Sequence, residues 1–176
     1  QYSPATAGSW ALIIFVNFIM VINRLPTDCS KPVTVMSFDY GTVKIGIAIG
    51  QSISSTAEPL TIIKAKDGIP DWSQITSLIE SWDPDFFVVG LPYNLDGSNS
   101  EFLQRALKFA NRLNGRFNIP TFGIDESLSS ETAKEKYKIG SLKNTIRKEI
   151  DDVAAQIILE TWFSEYNKNT SLDQAR

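Results

Sequence analysis

From Pro32 onward the hydrophobic positions fall into short blocks with the periods of strands and helices. Residues 33–38 (VTVMSF) form a compact apolar run that ends in Asp39-Tyr40-Gly41, and residues 44–49 (KIGIAI) form a second. The Gly-containing turn between them predicts an antiparallel hairpin. Residues 57–65 (AEPLTIIKA) predict a third strand. In residues 71–82, Trp72, Ile75, Leu78, Ile79 and Trp82 recur at helical spacing behind Asp71, an N-cap candidate. Residues 85–90 (DFFVVG) read as a strand buried on both faces. Ser98 or Ser100 opens a helix through Leu113, followed by a strand over 120–125 (PTFGID) and a further helix starting near Ser130. A last helix runs from about Lys148 to Tyr166, with Ile150, Val153, Ala154, Ile157, Ile158 and Trp162 on one side. A hairpin meander followed by βα crossovers implies an α/β fold: a mixed five-stranded central sheet with helices on both faces.

The stretch before Pro32 does not share this pattern. Residues 10–22 are almost continuously apolar, interrupted by Asn17, and fall short of the roughly 18–20 residues that span a bilayer. No Lys or Arg precedes them and no small-x-small cleavage site follows. Residues 1–31 are therefore read either as a leader foreign to the domain or as a short extra helix packed on it, with Met20 or a nearby residue as a candidate start. Residues 32–166 are read as the domain and 167–176 as a C-terminal tail.

Composition narrows the chemistry. The 176 residues contain no His and one Cys, with 20 Asp+Glu against 17 Lys+Arg. Without imidazole, Ser-His-Asp and Cys-His mechanisms are excluded, and so is any His-bearing zinc site. Cys29 alone supplies no intrachain disulfide and fits a reducing compartment. The chemistry left belongs to carboxylates, amines, hydroxyls and backbone groups.

Asp39 ends the first strand beside Gly41, where a phosphate or metal can approach the backbone; the plainer reading is an Asx turn opening the hairpin. Residues 90–98 (GLPYNLDGS), with Asn94 at their centre, lead from a buried strand into a helix and offer backbone N–H groups to an anion. No Gly-Lys-Ser/Thr follows, so this is not a P-loop. Asp125 and Glu126 end the next strand. Adjacent residues of an extended chain point to opposite faces, so one of the pair enters a shared site and the other is free to cap the following helix. Asp151 and Asp152 lie in the first turn of the last helix, where the macrodipole alone stabilises acids. Ala154 and Ala155 would let that turn pack closely on the sheet. If Asp39, Asp125 or Glu126, and Asp151 converge, their mutual repulsion requires a cation. Oxygen ligands favour Mg²⁺ or Mn²⁺, and the matching chemistry is hydrolysis of a phosphodiester.

The ordered strings SFDYGTVKIGIAIG, VVGLPYNLDGS, DESLSS and IDDVAAQIIL resemble the YqgF/RuvX family over about residues 32–166. That resemblance implies an RNase H-like fold and a cytoplasmic metal-dependent nuclease acting in pre-16S rRNA processing or as a Holliday junction resolvase. Carried over by motif, it implies catalytic Asp39, Asp125, Glu126 and Asp151, with Asp39, Glu126 and Asp151 holding the metal. Two positions depart from the family pattern. Lys44 stands where Arg is usual, keeping the cation but losing bidentate geometry. Ser127 stands where the family has Arg in an Asp-Glu-Arg triplet, and Arg147 or Lys148 are the local candidates to replace that charge.

A polyanion partner requires cations on one face. Residues 134–148 carry Lys134, Lys136, Lys138, Lys143, Arg147 and Lys148 with Glu135 as the only acid. Lys44, Asn94, Lys143, Arg147 and Lys148 are the expected substrate contacts. A second stripe, Arg105, Lys108, Arg112 and Arg116, lies opposite Phe102, Leu103, Ala106 and Leu113 and reads as a solvated face. The expected partner is a nucleic acid, precursor rRNA or branched DNA, without a membrane; symmetric cleavage of a junction would need a homodimer. Two other classes compete. Asp39-Tyr40-Gly41-Thr42 also resembles the phosphate motif of actin-like ATPases, which need two such domains, more than 176 residues hold. A non-catalytic RNA-binding protein is favoured by Ser127 and by the net charge of −3.

Overall fold

The apolar blocks at 34–39, 44–51 and 86–91 become strands whose side chains are buried on both faces of one sheet. The computed structural model describes residues 31–93, 100–128 and 148–174. Its elements are β1 (Thr34–Asp39), β2 (Lys44–Gln51), β3 (Thr56–Lys66), β4 (Ile69–Pro70), α1 (Trp72–Trp82), β5 (Phe86–Leu91), α2 (Glu101–Phe117), β6 (Thr121–Asp125), a 3₁₀ turn (Glu126–Leu128) and α3 (Lys148–Gln174). The helix expected near Ser130 lies outside the described residues.

The sheet order is β4-β3-β2-β1-β5-β6. β1 to β4 pair antiparallel, whereas β1, β5 and β6 are mutually parallel. The mixed sheet and its five expected strands are present, and a sixth joins them. Asp67 and Gly68 both have positive φ (52° and 76°), the two-residue turn geometry that folds a chain straight back on itself, so Ile69-Pro70 returns along β3.

Strand alternation divides the apolar residues between two cores. Met36, Phe38, Ile45, Ile47, Phe87 and Val89 face one side with Leu103, Ala106 and Phe109 of α2 and Ile75 of α1. Val35, Val88, Phe122 and Ile124 face the other with Ile158, Leu159, Trp162 and Phe163 of α3. Both faces are therefore covered, as a parallel segment requires.

The helix starts follow their caps. Asp71 accepts from Ser73 N, and Ser100, not Ser98, accepts from Leu103 N. Left-handed Asn118 ends α2 at Phe117, past the expected Leu113. Some expected core positions differ. Trp82 and Phe102 are 45% and 40% exposed, the one in the last position of α1 and the other in the first turn of α2. On α3 the buried row is Ala155, Ile158, Leu159, Trp162, Phe163 and Tyr166, while Val153 and Ile157 are half-buried. The helix also continues past Tyr166 to Gln174. No helix among the described residues is long and apolar enough to cross a membrane.

Candidate active site

The carboxyl ends of β1, β5 and β6 lie at one edge of the sheet, where ligands bind in open α/β sheets. Phe38 pairs with Val89, so the next residues, Asp39 and Gly90, lie side by side; Gly90 pairs in turn with Ile124 of β6. Val35 belongs to the α3 core and Ser37 bonds to α3, so alternation puts Asp39 on the α3 face as well.

Asp125 and Glu126 separate as extended geometry requires. Phe122 and Ile124 face α3, which turns Asp125 to the opposite side. Its Oδ1 accepts from Ser127 N at 2.8 Å, capping the 3₁₀ turn. Glu126 reaches the α3 face: a Cβ at position 90 would lie 2.5 Å from Glu126 Oε1 and 2.5 Å from Ile158 Cδ1. Gly90 therefore leaves open the space that the carboxylate occupies, beside Asp39. The sequence suggested an anion-binding amide for Gly90; its missing side chain is what the geometry uses.

The third acid is placed by its helix. Ser37, fully buried, donates its hydroxyl to the Ala155 carbonyl at 2.7 Å. Leu159 and Phe163 pack against Gly50, the residue opposite Val35. Going backward along α3 thus leads up β1 toward Asp39. Four helical residues advance about 6 Å and two strand residues nearly 7 Å. Asp151 lies one helical turn beyond Ala155, much as Asp39 lies one strand repeat beyond Ser37. The first turn of α3 consequently approaches the edge that carries Asp39 and Glu126. The side chains of Asp151 and Lys148, and all of Asn94, Lys143 and Arg147, lie outside what the structure describes.

A divalent ion fits the residues present. The cradle at Gly90 holds a carboxylate that any larger residue would displace, and Asp39 and Glu126 offer only oxygen, the donor preferred by Mg²⁺ and Mn²⁺. Among the described residues no group of three acidic, His or Cys side chains is assembled, and the side chain of Asp151, the third acid expected from the motifs, lies outside them.

A second cluster supports the β1 end. Tyr40, buried after Asp39, packs its ring against Phe102 and Phe109 and fills the space beside Gly68. Arg105 donates to the Asp67 backbone oxygen at 2.8 Å and to its carboxylate. Asp67 first, then Tyr40, raises the Arg105 pKa above its ordinary value. Arg116 stacks over Trp72 at 4.5 Å. Two members of the expected solvated stripe thus make specific contacts. Sequence separation hid them: Asp67 and Arg105 lie on different elements, and the Asp-Gly turn was the available signal.

A family model described as RuvX, Holliday junction resolvase, matches residues 33–165. A Haemophilus ducreyi protein named "Putative pre-16S rRNA nuclease" is 51% identical over 131 residues, covering 74% of this chain and 95% of that protein. A Pseudomonas aeruginosa protein of the same name is 46% identical over 138 residues, covering 77% and 96%. Among solved structures, T. thermophilus RuvC in complex with a Holliday junction substrate superposes with a TM-score of 0.52 at 16% identity, covering 78% of this chain and 97% of that one. At that identity the likeness concerns the fold, the RNase H-like arrangement expected from the motifs.

Proposed function

The chain belongs to the RuvX family of Holliday junction resolvases, and from that membership we propose that it is a nuclease that hydrolyses phosphodiester bonds of precursor 16S rRNA. The relatives sharing about half its residues carry the pre-16S rRNA name, which favours RNA over branched DNA as substrate. The observation that carries the site assignment is the Gly90 cradle, which brings Glu126 to the face and edge of the sheet occupied by Asp39.

Asp39, Glu126 and Asp151 would hold Mg²⁺ or Mn²⁺. When bound, the ion lowers the pKa of water and offsets charge on the phosphate. The residues of the chain do the rest. Asp39 is fixed by its strand, and Glu126 by the 3₁₀ turn that Asp125 caps. Ser37 sets the position of α3 along β1 through Ala155, holding the first turn of the helix at the site. Lys44, exposed at the start of β2, supplies a phosphate contact, with Asn94, Lys143, Arg147 and Lys148 as further contacts. With no His in the chain, protons pass to water, to Lys or to substrate phosphate. The proposed domain spans residues 32–166, acts in the cytoplasm and pairs as a homodimer if its substrate is a symmetric junction.

Junction cleavage is the second reading, favoured by the family description itself. Purified protein incubated with precursor rRNA and with a synthetic four-way junction, with and without Mn²⁺, separates the two. Metal-dependent cutting of the RNA supports the proposal; cutting only the junction replaces the substrate; cutting neither overturns the nuclease assignment.

A further inference from the structure

Asp39 and Tyr40 are neighbours in the chain whose side chains part to opposite faces. Asp39 lies on the α3 face. Tyr40 is buried in the other core, its ring centroid 5.6 Å from that of Phe102 and 5.3 Å from that of Phe109 on α2. Tyr40 opens the β1–β2 turn, and that turn is bonded to the chain around the β3–β4 turn. Ala65 N donates to the Val43 carbonyl at 2.7 Å and Gly68 N to the Thr42 carbonyl at 2.8 Å. Gly68 also makes room for Tyr40, since a Cβ at position 68 would meet the Tyr40 hydroxyl and ring. Arg105 joins these parts. It donates to the Asp67 carbonyl oxygen at 2.8 Å and to the Asp67 carboxylate, and Tyr40 is its second side-chain hydrogen-bond partner.

We propose that Arg105 is a positioning residue of the active site: through Tyr40 and Asp67 it fixes the β1–β2 turn, and with it the place of the Asp39 carboxylate. Three observations carry it. Arg105 lies three residues after Phe102 and four before Phe109 on α2, so one helix face holds both the ring and the hydroxyl of Tyr40. Its guanidinium has donors enough for Asp67 and Tyr40 together, in a planar fork that an ammonium lacks. Tyr40 and Asp39 share a planar peptide bond, so a displacement of the anchored ring is passed to the Cα of Asp39. Ligand distances at a metal tolerate only about 0.2 Å of error, which makes such an anchor matter to the ion more than to the fold.

This inference rests on the reading of Asp39 as a metal-binding acid, so its test reads the turn and the metal separately. Wild type, Arg105→Gln, Tyr40→Phe and a control, Arg116→Gln, are compared by hydrogen exchange of the Ala65 and Gly68 amides and by calorimetric titration of Mn²⁺ into the nucleic-acid-free protein. The control removes a cation stacked over Trp72 from the last turn of the same helix. Arg105→Gln speeds exchange of both amides and weakens Mn²⁺ binding roughly tenfold, the low end for loss of an outer partner of a metal site. Tyr40→Phe keeps the ring against Phe102 and Phe109, loses only the hydroxyl and shows both effects in smaller degree. Arg116→Gln leaves exchange and affinity at wild-type values whatever it costs in Tm. Where wild type binds Mn²⁺, a change in one readout of Arg105→Gln without the other, wild-type values of both, or an equal loss in Arg116→Gln would overturn the positioning role. Faster exchange in Arg105→Gln of a protein whose wild type binds no Mn²⁺ would overturn the metal reading of Asp39 and leave Arg105 as the brace of the turn.

Discussion

The Glu126 carboxylate occupies the space that a side chain at position 90 would fill. A close approach of this kind makes the glycine a requirement of the site, beyond its role in the strand. Gly90→Ala must push aside Glu126, Ile158 or both. Overpacking of this sort costs about 1–3 kcal/mol, read as a lower urea midpoint, and nuclease activity falls further than stability alone explains.

The same geometry gives the two neighbouring acids different duties. Glu126→Gln keeps the shape of the side chain and removes the charge proposed to bind the metal. Cleavage should drop by more than the roughly 10–100-fold typical of losing an outer partner of a metal site. Asp125→Asn still accepts from Ser127 N, so activity should stay within a few-fold of wild type. Steady-state cleavage of one substrate by both variants checks the assignment.

Most of the fold was legible in the sequence because its strands are strongly apolar and its helix starts carry recognisable caps: Asp71 and Ser100 each do the work their residue type suggested. The Ile69–Pro70 strand was not, since two residues are too short to show a period. The motifs singled out the candidate acids, and alternation alone required Asp125 and Glu126 to part. Which of them faces α3 depended on the burial of Phe122 and Ile124, a tertiary fact. Ser37 stood out only as a lone hydroxyl in an apolar strand; its partner lies 118 residues away.

Ser37 links the strand of the first acid to the helix of the third. Ser37→Ala removes a buried hydrogen bond worth about 1 kcal/mol net, measurable as a shift in urea unfolding. It also frees α3 to slide along β1, so half-maximal cleavage should need more Mn²⁺ than in wild type.

At the start of α1, hydrogen bonds from the Ser73 side chain, the Ser73 backbone and Gln74 lower the pKa of Asp71. A carboxylate with a lowered folded pKa stabilises the native state above its ordinary value of 3.8, and that contribution is lost as pH falls through the lower folded value. The Tm difference between wild type and Asp71→Ala should therefore be constant near neutrality and close only in acid below pH 3.8. Thermal melts across pH test the sign.

The central claim, that Asp39 and Glu126 hold a divalent ion together with Asp151, is tested most directly by calorimetric titration of Mn²⁺ into the nucleic-acid-free protein. Wild type and Asp125→Asn should bind alike, while Asp39→Asn and Glu126→Gln bind much more weakly or not at all. Equal Mn²⁺ affinity in all four proteins would contradict the account.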